Sequence, residues 1–294
     1  MENLEIIFGI RKRDVVSITG AGGKTSLMYM LGEYFDKSLM TTTTKLFVPE
    51  GKNVYVREVP SKVDGSLIVA KKQVEDKLHG FECSEIKSFY SEFNYTFIEA
   101  DGARMMSLKG WNATEPIICD FSNKTIGVLD ITTLYQNTES TVFRIDEFTK
   151  ITDRSDFITM QNLVDIVLNP NGLFKNSKFK ILYINKVETN EQADRTFEFI
   201  GMLMEDTRFD LDRIVFGSIV NDSFELAYAK RGVFVLASGM SKRMGQDKLM
   251  MDINGIPLIE HTLNKLSVYA DDLYIISSDN RFDKLASKYG FIVL

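Results

Sequence analysis

The densest chemistry in the chain sits in Gly20-Ala21-Gly22-Gly23-Lys24-Thr25-Ser26, between an apolar run over residues 15–19 and a helical pattern beginning at Lys24. Glycines allow successive backbone N–H groups to turn toward an anion, and the start of a helix adds partial positive charge at the same place. In that setting a lysine reaches the β- and γ-phosphates of a nucleotide and a threonine hydroxyl ligates Mg²⁺. Lys24 and Thr25 are therefore read as phosphate anchor and metal ligand, with Gly20, Gly22, Gly23 and Ser26 as the cradle. Strict Walker spacing would put glycine at position 18, where this chain carries Ile18, so the loop is a shortened or variant P-loop. A glycine turn beside a solvated lysine is the bland alternative. The position at a strand–helix junction favours the phosphate site.

Other stretches end apolar runs that a parallel sheet would bring to the same crevice. Thr41-Thr42-Thr43-Thr44-Lys45 offers hydroxyls and an ammonium suited to phosphate or hydrated Mg²⁺, with Thr43, Thr44 and Lys45 as nucleotide-binding candidates. The β propensity of threonine is the favoured explanation for any one threonine taken alone. Glu99 and Asp101 follow a run over residues 95–98, where a Walker-B-like acid holds Mg²⁺ or orients water. Catalysis is assigned to Lys24, Glu99 and Asp101, and metal binding to Thr25 and Asp101. An acidic turn competes with this reading. Arg104 and Lys109 follow closely and would neutralise a phosphate or an anionic substrate, while Glu115-Pro116 would stiffen the loop. Asn185-Lys186-Val187-Glu188 is similar to the Asn-Lys-x-Asp element with which many GTPases read guanine, with Glu in place of Asp. Asn185, Lys186 and Glu188 are nucleotide-binding candidates on that basis, and a polar strand-to-helix loop explains them equally well.

Short β-branched runs alternating with helical patterns must position these groups, the signal of a parallel α/β fold. Strands are expected at residues 15–19, 38–44, 95–98, 125–129, 180–184 and 214–219, and helices at 24–35, 159–168 and 191–205. Residues 54–56 and 67–69 read as a small β excursion. A break falls at Ala229-Lys230-Arg231-Gly232, and a new strand–Gly loop–helix–strand series begins at residue 233. The expected domains are 1–231 and 232–294. The second is thin for a complete α/β domain and reads as the opening part of one.

Composition narrows the function classes. With 294 residues, 35 basic and 41 acidic side chains, the net charge is −6, which disfavours nucleic acid as the main partner. No uninterrupted apolar run of about 18 residues occurs, so no membrane span is expected. Cys83 and Cys119 show no metal spacing and no disulfide framework, and a reducing cytoplasm is the expected location.

The set Gly20-Ala21-Gly22-Gly23-Lys24-Thr25, Thr42-Thr43-Thr44-Lys45, Glu99-Ala100-Asp101-Gly102-Ala103, Lys109 and Glu115-Pro116 resembles, in order, the YqeC-type selenium-dependent molybdenum hydroxylase accessory proteins. The resemblance covers about residues 1–230 and implies a nucleotide-binding maturation factor. Taken alone, the loop also resembles that of Mur ligases. Farther on, Leu236-Ala237-Ser238-Gly239-Met240-Ser241-Lys242-Arg243-Met244-Gly245-Gln246-Asp247-Lys248-Leu249 resembles the signature loop of MobA/MocA-like molybdenum cofactor nucleotidyltransferases, and Gly255-Ile256-Pro257 continues the pattern. Leu236, Ala237, Gly239, Ser241, Arg243, Gly245 and Lys248 form this second nucleotide loop. Gly239 and Gly245 would let it wrap a triphosphate, and Arg243 and Lys248 would counter its charge and that of the pyrophosphate leaving group. The family's later metal-binding acids are expected beyond residue 294.

The combined expectation is an α/β chain: a parallel-sheet, P-loop-like nucleotide-binding domain followed by a partial Rossmann-like nucleotidyltransferase domain. The implied ligands are Mg²⁺ with ATP or GTP in the first domain, and CTP with molybdopterin in the second. A molybdenum hydroxylase apoprotein is the implied macromolecular partner. A nucleotide-gated chaperone without useful turnover and a Mur-like ATP-dependent ligase are the alternatives.

Overall fold

The computed structural model describes residues 4–57, 65–238, 247–266, 272–277, 280–289 and 291–294. The chain divides into two compact units, Met1–Tyr228 and Ala229–Leu294.

The first unit is built on a nine-stranded sheet. Its strands are β1 (Val15–Gly20), β2 (Ser38–Thr42), β3 (Val54–Val56), β4 (Leu67–Ala70), β5 (Tyr95–Glu99), β6 (Lys124–Asp130), β7 (Lys180–Asn185), β8 (Arg213–Ser218) and β9 (Ser223–Ala229). Their spatial order is β9-β8-β7-β6-β1-β5-β2-β4-β3. From β8 across to β3 every neighbouring pair is parallel. Every residue of β1, β2, β6 and β8 is buried, the mark of parallel strands covered on both faces. Alternate residues of one strand feed separate cores: Leu182 and Ile184 face one cluster, Ile181 and Tyr183 the other.

Helix α1 (Lys24–Tyr34) turns Leu27, Met28 and Leu31 into the second of these cores. On the other face lie α2 (Met160–Leu168) and α3 (Asn190–Glu205), each started by a reciprocal capping box. Thr159 pairs with Asn162 and Thr189 with Gln192, so local sequence fixes where both helices begin.

The expected elements form, with instructive departures. The strand expected over residues 38–44 stops at Thr42, and Lys45–Phe47 instead pairs antiparallel with Lys77–His79, which pairs with Lys72–Val74. Residues 54–56 and 67–70 are no side excursion. They extend the main sheet beyond β2 as its β4-β3 edge. The two cysteines also depart from expectation: Cys83 and Cys119 are bonded to each other, tying a short helix (Cys83–Lys87) to the loop after β5.

In the second unit, β10 (Gly232–Leu236), β11 (Asp272–Ile276) and β12 (Ile292–Val293) form a parallel sheet in that order. Helices α4 (Leu258–Leu266) and α5 (Asp283–Tyr289) supply Ile259, Leu263 and Ala286 to its core, with Leu273, Ile275 and Phe282. The opposite side of β10 exposes Phe234 and Leu236. Among the described residues no helix is long and apolar enough to cross a membrane.

Candidate functional site

Five adjacent strands, β7-β6-β1-β5-β2, end on one edge at Asn185, Asp130, Gly20, Glu99 and Thr42. The order matters chemically because β5 enters between β1 and β2 rather than beside them. Register pairs Glu99 with Ile18 on one side and Thr42 on the other, placing its carboxylate next to the start of α1.

The glycine loop turns through left-handed backbone, with φ of +76° at Gly22 and +136° at Gly23. Space forbids side chains there as well: a Cβ at Gly22 would run into Asp130, and one at Gly23 into the Asn185 amide. Lys24 opens α1 directly after the turn.

Around Lys24 the charges are close and buried. Its Nζ donates to the Gly20 carbonyl at 2.7 Å and lies 3.4 Å from Asp101 Oδ1 and 3.8 Å from Glu99 Oε1. The Thr25 hydroxyl donates to Glu99 Oε2 at 2.7 Å. Burial pushes the Glu99 carboxyl above its ordinary range, against the opposing pull of Lys24 and the Thr25 hydrogen bond. Asp101 is fully buried. Its Oδ2 accepts from Trp111 Nε1 at 2.7 Å and Gly20 N at 3.2 Å, and pairs with Lys109 at 3.1 Å. Lys109, also fully buried, pairs with Glu115 at 2.8 Å and donates to the Gly102 carbonyl, and Arg144 meets Glu115 at 2.5 Å.

The two carboxylates thus occupy different settings. Mg²⁺ is bound through one or two carboxylates together with phosphate oxygens and waters. Thr25 Oγ1 and Glu99 Oε2, adjacent on the cleft wall, offer such a set of hard oxygen donors. Asp101, already holding three donors on Oδ2, organises the loop from beneath. Among the described residues no group of three or more His, Cys, Asp or Glu forms a self-sufficient cage.

At the β7 end the polar groups brace backbone. Asn185 Nδ2 donates to the Gly22 carbonyl at 2.8 Å, and its Oδ1 accepts from Tyr183 OH at 3.0 Å. Lys186 pairs with Asp130 at 2.5 Å, and Glu188 accepts from the Ser218 hydroxyl at 2.9 Å. At the β2 end, the Thr41 and Thr42 hydroxyls donate to the carbonyls of Val69 and Glu99. Thr43 Oγ1 reaches the carbonyls of Glu99 and Ile117 at 3.4 Å.

These ends enclose a cleft of about 1060 Å³. Of the sequence-derived candidates, Gly22, Gly23, Lys24, Thr25, Ser26, Thr44, Lys45, Glu99, Asn185, Lys186 and Glu188 line it. Gly20, Thr43 and Asp101 stand behind that lining. Sequence reasoning missed Asp130, Trp111, Phe143 and Arg144. Asp130 carried the same signal as Glu99, an acid closing an apolar strand. Trp111, Phe143 and Arg144 are brought in by loops whose course no local pattern reveals.

In the second unit, Gly239, Ser241, Arg243 and Gly245 lie outside the described residues. Ala237 is buried and Leu236 exposed at the end of β10. Lys248 begins a 3₁₀ turn capped by Asp247, which pairs with Arg281. Arg281 also donates to the Ala237 carbonyl at 3.1 Å, fastening the end of β10 to the turn.

Comparison with known proteins finds matches to two separate stretches of the chain. Residues 16–146 match the model of the YqeC protein family, and residues 233–294 match the MobA-like NTP transferase domain. The chain is 32% identical over 238 residues to the uncharacterized protein YqeC of Escherichia coli strain K12, covering 74% of this chain and 92% of that protein. Its last part is 40% identical over 63 residues to a probable molybdenum cofactor guanylyltransferase of Pyrococcus horikoshii, covering 20% of this chain and 32% of that protein. It is 46% identical over 60 residues to a molybdenum cofactor guanylyltransferase of Shewanella frigidimarina, covering 20% of this chain and 30% of that protein. The chain therefore spans about a third of the length of these transferases. No solved structure matches. The similarity to E. coli YqeC over most of both chains places this protein in the YqeC family, with a MobA-like NTP transferase segment following.

Proposed function

We propose that the first unit is a Mg²⁺-dependent ATP- or GTP-binding module, joined to a guanylyltransferase-like unit, and that the chain serves molybdenum cofactor maturation. The observation that carries this reading is the left-handed glycine turn delivering Lys24 and Thr25 to Glu99 on the cleft wall, with Asp101 behind it. Backbone N–H groups at the start of α1 receive the phosphates, favoured by the helix dipole. Lys24 exchanges its bond to the Gly20 carbonyl for phosphate oxygens while Asp101 holds the loop. Thr25 and Glu99 hold Mg²⁺, which when bound spreads the charge of the β- and γ-phosphates. Glu99, on the cleft wall beside Thr25, is also suited to orient a water beside the terminal phosphate.

For the second unit, the guanylyltransferase relatives favour GTP in place of the CTP expected from sequence, with molybdopterin as the acceptor. A molybdenum hydroxylase apoprotein is the proposed recipient of the matured cofactor.

Titration calorimetry of the full chain with Mg²⁺ and ATP, then GTP, tests the first site. Lys24→Ala is expected to weaken binding about 100-fold, or ~2.7 kcal/mol. Unchanged affinity in that variant removes the phosphate-loop reading. GTP binding that survives it belongs to the second unit.

A further inference from the structure

The cleft extends beyond what the glycine loop serves. It runs across five strand ends, from Asn185 on β7 to Thr44–Phe47 after β2, which at ~4.8 Å per strand is about 19 Å. The loop and Lys24 sit at its middle, on β1. Asn185, Lys186, Glu188, Ile219 and Val220 line one arm. The second arm is lined by Lys45, Phe47 and Lys77, beyond the end of β2, and by Arg104, Phe143 and Arg144.

The charge of this second arm is distinctive. Whole-chain charge is −6, yet the described side chains lining the cleft include six cations and three carboxylates. Lys24, Lys186 and Arg144 are matched to Asp101, Asp130 and Glu115. Lys45, Lys77 and Arg104 make no ion pair with any carboxylate of the described residues. Register holds two of them together, because Lys45–Phe47 pairs with Lys77–His79 and sets Phe47 opposite Lys77. Burial and the nearby Lys45, Lys72 and Lys77 push the His79 imidazole below its ordinary range, a sign of locally positive potential.

Geometry adds a flat apolar surface to that charge. The guanidinium carbons of Arg104 and Arg144 lie 5.1 and 4.9 Å from the centroid of the Phe143 ring. Lys77 lies 5.2 Å from the ring of Phe47. Arg104, Met105 and Arg144 take left-handed backbone, with φ of +48°, +64° and +59°. Non-glycine residues hold that conformation at a cost and gather at ligand clamps. Met105 is 85% exposed at the mouth.

We infer that this arm is a binding site for a second ligand, a small molecule carrying a phosphate monoester on a flat ring, seated with its phosphate toward Lys45, Lys77 and Arg104 and its ring against Phe143 and Phe47. The inference deepens the nucleotide reading, since the two ligands would share one cleft with the glycine loop between them.

The test uses the full chain and 4-methylumbelliferyl phosphate, followed by fluorescence anisotropy, with uncharged 4-methylumbelliferone as control. Calorimetry with Mg²⁺–ATP and Mg²⁺–GTP runs in parallel. The phosphate probe is expected to bind, to weaken as salt rises, and to outbind the uncharged control at least about tenfold. Lys77→Glu reduces probe affinity about tenfold or more while nucleotide affinity changes less than about threefold, and Arg104→Glu likewise reduces probe affinity about tenfold or more. Both side chains are exposed, and an unchanged thermal midpoint verifies folding. Lys24→Ala weakens ATP binding about 100-fold and leaves the probe bound. Absence of probe binding in a chain that binds nucleotide overturns the inference alone. Probe binding lost in Lys24→Ala but kept in Arg104→Glu also overturns it, because the probe then occupies the glycine loop. Probe binding that depends on Arg104 in a chain that binds no nucleotide supports the second site and removes the nucleotide reading.

Discussion

The ends of β5 and β7 flank the glycine loop from opposite sides and treat it differently. At β5, the ionised or ionisable groups Glu99 and Asp101 address the Lys24 ammonium and the Thr25 hydroxyl, the atoms suited to phosphate and metal. At β7, the neutral Asn185 amide addresses the Gly22 carbonyl, and Lys186 and Glu188 are engaged by Asp130 and Ser218. Both ends are polar sequence after an apolar strand. One supplies charge where charge develops in phosphate chemistry, while the other fixes the backbone shape that makes the cradle. The contrast teaches that a polar strand end is not a ligand contact until its partner is known.

Removing Lys109 presses hardest on the β5 side. It is fully buried between Asp101 and Glu115, so Lys109→Ala leaves uncompensated carboxylates and is expected to destabilise the first unit by about 3–5 kcal/mol. Urea unfolding measures this, and a loss below about 1 kcal/mol would show that Asp101 is not held by charge. Next is Gly23→Ala, which combines a forbidden φ with a collision against Asn185; a loss of about 1–3 kcal/mol and of nucleotide binding is expected. The double variant with Asn185→Ala relieves the collision and not the backbone, so only part of the loss should return.

A smaller effect separates brace from reader on the β7 side. Asn185→Ala is expected to cost about 1–2 kcal/mol, the net worth of its hydrogen bonds to Gly22 and Tyr183, and to weaken ATP and GTP equally. A tenfold change in the ATP/GTP affinity ratio would make Asn185 a base contact and erase the contrast drawn here. The subtlest test is of pH. Because burial raises the Glu99 carboxyl above its ordinary 4.5, the fold binds its proton more tightly than the unfolded chain does. Its contribution to stability therefore declines as pH rises from about 4.5 and is lost once pH passes the raised value. Glu99→Gln removes that decline, so the urea midpoints of the two proteins should diverge with rising pH, the variant becoming relatively more stable. Parallel curves would place Glu99 in a wetter setting.

Much of the first unit was legible because its signals are local. Residues 15–19 form a strand because four of the five residues before the glycine are apolar or β-branched, and α1 begins at Lys24 because glycine ends there and Leu27, Met28 and Leu31 recur on one face. The capping pairs Thr159/Asn162 and Thr189/Gln192 similarly mark their helices within four residues of sequence. Residues 38–44 misled because threonine favours β structure without saying which sheet it joins. Thr42 closes β2 by bonding the Glu99 carbonyl, and the chain then leaves for a separate three-stranded sheet. The bond between Cys83 and Cys119 was likewise invisible, since 36 residues separate them and only the packing of the β5 loop brings them together.

By itself the sequence determined a strand, a glycine turn and a helix bearing Lys24 and Thr25, because backbone freedom and hydrophobic period act over a few residues. Only the tertiary structure decided which carboxylate meets Thr25. Glu99 and Asp101 are two residues apart and chemically alike, and no local rule ranks them. Threading β5 between β1 and β2 put Glu99 beside the hydroxyl and turned Asp101 inward to Trp111 and Lys109. Strand order is settled by which buried faces cover one another, a property of the whole sheet rather than of any segment.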